Sequence, residues 1–184
     1  LLQEYRLTPD DFITPLFIIE GTQLKEPIPS MPGYFRMSLD LIAEKVITLW
    51  KQDLKAVLLF VKVPEGLKDN EGKEALNPDG LMQRAIKTIK DAVPEMIVMT
   101  DVALDPYYSF GHDGIVEKSN VLNDPTVAVL SKMALSHAQA GADVVAPSDM
   151  MDGRVLAIRK ELEAAQFHNT VIMSYSAKYA CSFY

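Results

Sequence analysis

The sequence predicts an α/β fold on a parallel sheet, a (β/α)8 barrel (TIM barrel) of which about the first five strands are present. Three observations predict it. Short apolar runs rich in β-branched residues alternate with segments of helical spacing along the whole chain. The polar, chemically active residues fall straight after those runs, where both parallel architectures place chemistry. No Gly-x-Gly-x-x-Gly or Walker-type loop follows any run, which weighs against a nucleotide-binding doubly wound sheet and towards the barrel.

The first apolar run, Pro15 to Ile19, reads as a buried strand because no polar residue interrupts it. Leu39, Ile42, Val46 and Leu49 follow at helical spacing, with Ser38 placed to cap the helix. Ala56 to Val63 is the second strand. Pro64 to Asn77 is charged, Gly-bearing and long for a connection, and reads as a mobile surface loop. Leu81, Ala85, Ile86 and Ile89 mark a second helix with Pro78 near its start, and Met96 to Thr100 the third strand. Pro125 opens a third helix through Val127, Leu130, Ala134 and Ala138, which Gly141 ends as a C-cap glycine. Asp143 to Ala146 is the fourth strand, Val155, Ile158, Leu162 and Ala165 the fourth helix, and Thr170 to Tyr175 the fifth strand. Five strands cannot close the barrel, so its C-terminal strands are expected downstream of Tyr184, and both ends of the chain read as truncations.

With 184 residues, 48% of them hydrophobic, the chain can bury one sizeable core. A net charge of -7 argues against a nucleic-acid or anionic-membrane partner, so an anionic substrate must be held by local cations. No stretch of about 18 apolar residues exists, and LLQEYRLTPDD has no leader pattern. The lone cysteine, Cys181, excludes an internal disulfide and a Cys-rich zinc cage, reads as an inert thiol, and suits a reducing cytoplasm.

Three groups can carry chemistry. Lys178 follows the fifth strand, so its amine is expected at the mouth of an apolar barrel, where desolvation exposes a nucleophile for imine formation; a lysine that merely snorkels to solvent is the plainer reading. Asp101 and Asp105, with Gly111-His112-Asp113-Gly114, bring three carboxylates and an imidazole towards one rim, suited to binding a hard cation or moving protons, or simply to capping turns. In Pro147-Ser148-Asp149-Met150-Met151-Asp152-Gly153-Arg154 a strand end leads into a helix; Ser148 or Asp149 reads as an N-cap and the methionine pair as packing. His137 and His168 look ordinary.

TDVALDPYYSFGHDG at 100–114, GADVVAPSDMMDGR at 141–154 and IMSYSAKYACSFY at 172–184 closely resemble the porphobilinogen synthase family, in order and in spacing; PLFIIEG and SMPG match more weakly. The resemblance implies a (β/α)8 barrel over 13–184 preceded by an N-terminal arm of which 1–12 is a remnant, assembled as a homo-octamer. It implies a lyase, specifically a hydro-lyase, that condenses two molecules of 5-aminolevulinate with loss of water in haem and other tetrapyrrole biosynthesis. Lys178 matches the first of two lysines that hold substrate as Schiff bases, Ser148 and Tyr184 then line the substrate pocket, and Asp101 lies where protons are handled.

Zinc-dependent members carry three cysteines where this sequence has Ala103, Asp105 and Asp113, and Phe110 replaces a commoner histidine. Without thiolates zinc is disfavoured, and the pattern resembles the magnesium-responsive, cysteine-free branch, in which Asp105 and Asp113 face the substrate and hold magnesium or a monovalent cation. No organic cofactor is implied. The second Schiff-base lysine, the carboxylate-binding arginines and the allosteric magnesium ligand are expected beyond Tyr184. The alternatives are an inactive partial barrel and another Schiff-base class I aldolase, which has no need of the acidic loop or of SDMMDGR.

Overall fold

A computed structural model describes residues 4–109 and 114–180. Strand β1 (Ile13–Ile19) is followed by β2 (Lys25–Pro27), β3 (Phe35–Met37), α1 (Leu39–Lys51), β4 (Ala56–Lys62), α2 (Leu81–Ala92) and β5 (Ile97–Val102). Next come β6 (Val116–Glu117), β7 (Asn120–Val121), α3 (Asn123–Ala140), β8 (Val144–Pro147), α4 (Arg154–Ala164) and β9 (Val171–Ile172). Residues 4–12 lie off the sheet, where a short 3-10 turn, Pro9–Asp11, is closed by the Thr8 amide donating to Asp11.

The main sheet runs β2-β3-β1-β4-β5-β8-β9, and β1, β4, β5, β8 and β9 are mutually parallel neighbours. Each of these strands joins on the same side as the one before it. A doubly wound sheet reverses its order at a switch point and carries helices on both faces. Here α1 packs on α2, α2 on α3 and α3 on α4, a single layer outside a curved wall, which is the barrel arrangement.

The register divides the side chains between two faces. Leu16, Leu59, Thr100, Val145 and Ile172 share one rung. That face, with Val57, Val61, Val98 and Val102, meets the buried stripes of the helices: Ile42, Val46 and Leu49 on α1, Ala85, Ile86 and Ile89 on α2, and Leu130, Met133 and Ala134 on α3. Each fully buried aliphatic side chain there contributes about 1.5–3 kcal/mol. The opposite, concave face carries Pro15, Leu58, Phe60, Met99 and Ala146 around a hollow of about 380 Å3. Ile13 and Met173 on its rim remain exposed.

Several expectations need adjustment. Strand β5 continues to Val102 because Asp101 and Val102 pair with Ala146 and Pro147, so Asp101 sits on the strand itself. Strand β9 is shorter than Thr170 to Tyr175, since only β8 flanks it among the described residues; the Met173 and Tyr175 amides still bond Val145 and Pro147 (3.0 and 3.1 Å). Strands β2, β3, β6 and β7 are too short to leave a periodic signal. Ser38 stands at the N-cap of α1 but makes no capping bond. Its hydroxyl accepts the Leu24 amide (3.0 Å) and donates to Asp40 (2.5 Å), tying the β2 approach to the helix. Gly141 closes α3 in the left-handed region at φ 110°, as expected.

The stretch from Pro64 to Asn77 is pinned by directional bonds, contrary to the expectation of a mobile loop. The Asp69 carboxylate accepts the amides of Glu71, Gly72 and Lys73 (2.8, 2.6 and 3.3 Å). Burial pushes that carboxyl up, but the three N–H groups outweigh it and hold it below the usual carboxylate range. The Asp69 amide donates to the Tyr107 carbonyl (3.1 Å), and the Asn70 side chain both donates to and accepts from the Val116 backbone (3.0 and 3.2 Å). The stretch is therefore a brace for the β5–α3 connection.

Candidate active site

The carboxyl ends of β4, β5, β8 and β9 surround a cavity of about 320 Å3. Asp101, Asp105, Ser148 and Lys178 all line it, so four of the six residues singled out from sequence converge on one space. Tyr184 and Asp113 lie outside the described residues, as do Phe110, His112 and Cys181.

Asp101 is buried at 9% exposure, and Ser148 Oγ donates to Asp101 Oδ1 at 2.5 Å. Ser148 is thus a partner of the buried Asp101 carboxylate, not a helix cap, a place that Gly153 takes before α4. Its position is fixed by the loop that follows. The Asp149 carboxylate is fully buried, accepts the Met151 amide (2.8 Å) and pairs with Arg154 Nε at 3.0 Å, off-axis for a hydrogen bond and so an ion pair. Arg154 Nη1 returns to the Met151 carbonyl (3.0 Å), while Asn123 exchanges two bonds with the Asp152 backbone (2.7 and 3.2 Å). Of the methionine pair only Met151 packs; Met150 is exposed.

Asp105 opens a 3-10 turn through Tyr107 and lines both this cavity and a neighbouring one of about 320 Å3. The second cavity is bordered by Arg36, Lys62 and Lys68, whose charges are met by Glu26 (2.9 and 3.3 Å) and Glu65 (2.5 Å). Lys178 Nζ lies 6.0 Å from the Tyr175 ring centroid. Lys178 is exposed, so the desolvation expected from its place after an apolar strand is not supplied by the described residues. Among the described residues no group of three or more His, Cys, Asp or Glu side chains converges to hold a metal ion.

His137 is structural, as its sequence context suggested. Its Nδ1 shares a hydrogen bond of 3.0 Å with the buried Thr100 hydroxyl, and burial pushes the imidazole down to about 3. His168 is exposed against Glu163 and Gln166.

Three tyrosines were not foreseen. Tyr107 and Tyr175 form part of the cavity wall, and Tyr108 is buried beside the brace. Burial, followed by the charges of Asp69 and Glu71, pushes the Tyr108 phenol up to about 12. Burial, followed by Asp101 and Glu74, raises Tyr107 further. The available signal was the aromatic pair placed directly after Asp105-Pro106 at a strand end.

No helix among the described residues is long and apolar enough to cross a membrane. The chain matches the family described as delta-aminolevulinic acid dehydratase over residues 1–184. The delta-aminolevulinic acid dehydratase of Methanothermus sociabilis is 50% identical over 184 residues, covering 100% of this chain and 57% of that protein. The chloroplastic protein of the same name from Selaginella martensii is 52% identical, over 99% of this chain and 44% of its own length. The crystal structure of delta-aminolevulinic acid dehydratase (porphobilinogen synthase) from Toxoplasma gondii ME49, in complex with the reaction product porphobilinogen, superposes with a TM-score of 0.95. Its sequence identity is 46%, and the match covers 100% of this chain and 52% of that one. The chain spans about half the length of the relatives it matches. With a family match over every residue, and with a fold that superposes on that structure along its whole length, the chain belongs to the delta-aminolevulinic acid dehydratase family.

Proposed function

We propose that the whole protein is a 5-aminolevulinate dehydratase, condensing two 5-aminolevulinate molecules to porphobilinogen with loss of water, and that this chain carries the first Schiff-base half of its active site. The observation that carries the reading is the convergence of Lys178, Asp101, Asp105 and Ser148 on one cavity at the strand ends. In this reading the Lys178 amine attacks the ketone carbon of one substrate. A carbon–nitrogen bond forms, the ketone oxygen leaves as water, and the protonated imine becomes an electron sink that acidifies the neighbouring carbon. Asp101, held by Ser148, receives the proton lost from that carbon, and Asp105 supplies negative charge opposite the iminium. Tyr184 and the second lysine complete the pocket.

Asp105 and Asp113 are our candidates for holding magnesium or a monovalent cation, because carboxylate oxygens suit hard cations. A chain with one cysteine has no thiolate set for zinc. Such an ion, when bound, supplies positive charge near the substrate. A homo-octamer, an allosteric magnesium site outside this chain and a cytoplasmic location complete the proposal. For the 184 residues alone, the exposed concave rim at Ile13 and Met173 favours an inactive partial barrel.

The test is product formation. The complete protein given 5-aminolevulinate and magnesium is expected to yield porphobilinogen, and to keep its activity under a zinc-selective chelator. Absence of product with every cation tried contradicts the assignment.

A further inference from the structure

Tyr107 is only 3% exposed, forms part of the wall of the cavity that Lys178 and Asp101 share, and has a buried hydroxyl with no hydrogen-bond partner. Leaving such a group unpaired costs about 1–3 kcal/mol, so an orphaned donor at a ligand cavity calls for an explanation. The backbone around it is not loose: the Tyr107 carbonyl accepts the Asp69 amide (3.1 Å) and the Tyr107 amide bonds Leu104 (2.9 Å). The ring is therefore held in place while its polar end is left unmatched by protein.

We infer that Tyr107 is a further catalytic residue, its hydroxyl donating a hydrogen bond to the ketone oxygen of the 5-aminolevulinate that Lys178 attacks. This rests on the function proposed above. As the amine adds, negative charge grows on that oxygen, and a donor already in place strengthens its bond to it. Burial and the nearby charge of Asp101 keep the phenol neutral, so it polarises the oxygen without surrendering its proton. The oxygen leaves as water with the two protons that the Lys178 nitrogen gives up between its ammonium and iminium forms. A buried water satisfying the hydroxyl, with no part in the reaction, is the competing account.

The test uses the complete protein with Tyr107→Phe, which removes one oxygen atom and keeps the ring. Imine formation with 5-aminolevulinate is trapped by borohydride and mapped to Lys178, well below both unfolding midpoints, alongside kcat and KM. An unchanged or raised midpoint is expected, with trapping rate and kcat lowered about ten- to a hundredfold and KM little moved. Trapping and turnover equal to the unsubstituted protein overturn the inference and favour the water. A rise in KM alone also overturns it, since the hydroxyl then only binds substrate. If the unsubstituted protein gives no adduct at Lys178, the proposed function fails first and takes this role with it.

Discussion

Ser148 Oγ donates to Asp101 Oδ1 across a separation of 47 residues, joining the carboxyl end of β8 to that of β5. The bond aims a buried carboxylate into the cavity that Lys178 borders, and the Asp149–Arg154 ion pair sets the backbone that presents the serine.

Ser148→Ala removes the donor and leaves the carboxylate to reorient. A hydrogen bond to a charged group contributes about 1.5–3 kcal/mol, so kcat is expected to fall roughly ten- to a hundredfold, while Ser148→Thr retains most of it. Steady-state kinetics on the complete protein decide this. Equal kinetics for Ala and Thr would remove the positioning role.

The buried His137 gives stability a defined pH dependence. Its ordinary value is 6.5 and burial holds it at about 3 in the fold. Above pH 6.5 both folded and unfolded states leave it neutral, and it contributes no slope. Below 6.5 the unfolded state binds the proton and the folded state does not, so stability falls on acidification until about pH 3. At pH 5 the loss from this residue is roughly 2 kcal/mol. Denaturant unfolding at pH 7 and pH 5 is expected to show that much less acid sensitivity in His137→Asn.

Asn70→Ala cuts two backbone bonds to Val116 and leaves its N–H and C=O without those partners. Roughly 1–3 kcal/mol of local stability is expected to go, concentrated in the β5–α3 connection. Amide exchange localises it: protection at Tyr107, Ser109 and Val116 drops while that of β4 and β5 holds. Uniform loss of protection would mean that the brace is only one more part of the global fold.

The parallel wall was legible because β4 and β8 read as apolar runs up to their last residue or two and β5 as one up to Thr100, and because α1, α2 and α3 keep their apolar stripes. Lys178, Asp101, Asp105 and Ser148 were legible for a different reason: a parallel barrel places strand ends together, so polar residues in those positions share a rim whatever their distance in sequence. The brace was not legible. Asp69 and Asn70 look like any polar loop pair, and their role depends on partners 38 to 46 residues away that local patterning does not encode. Ser38 stands at the N-cap as its position suggested, but the use of its hydroxyl was not legible, since it accepts from a backbone amide 14 residues back. Tyr107 escaped notice because burial of its hydroxyl is a tertiary property.

Lys178 as the proposed nucleophile is tested most directly by trapping the imine. The complete protein is incubated with 5-aminolevulinate, reduced with borohydride, digested and analysed by mass spectrometry. One reduced substrate adduct is expected on the peptide containing Lys178, absent in Lys178→Ala, whose turnover also disappears. A Lys178→Ala variant that still makes porphobilinogen at near-normal rate, or an unsubstituted protein whose Lys178 peptide never carries the adduct, contradicts that role.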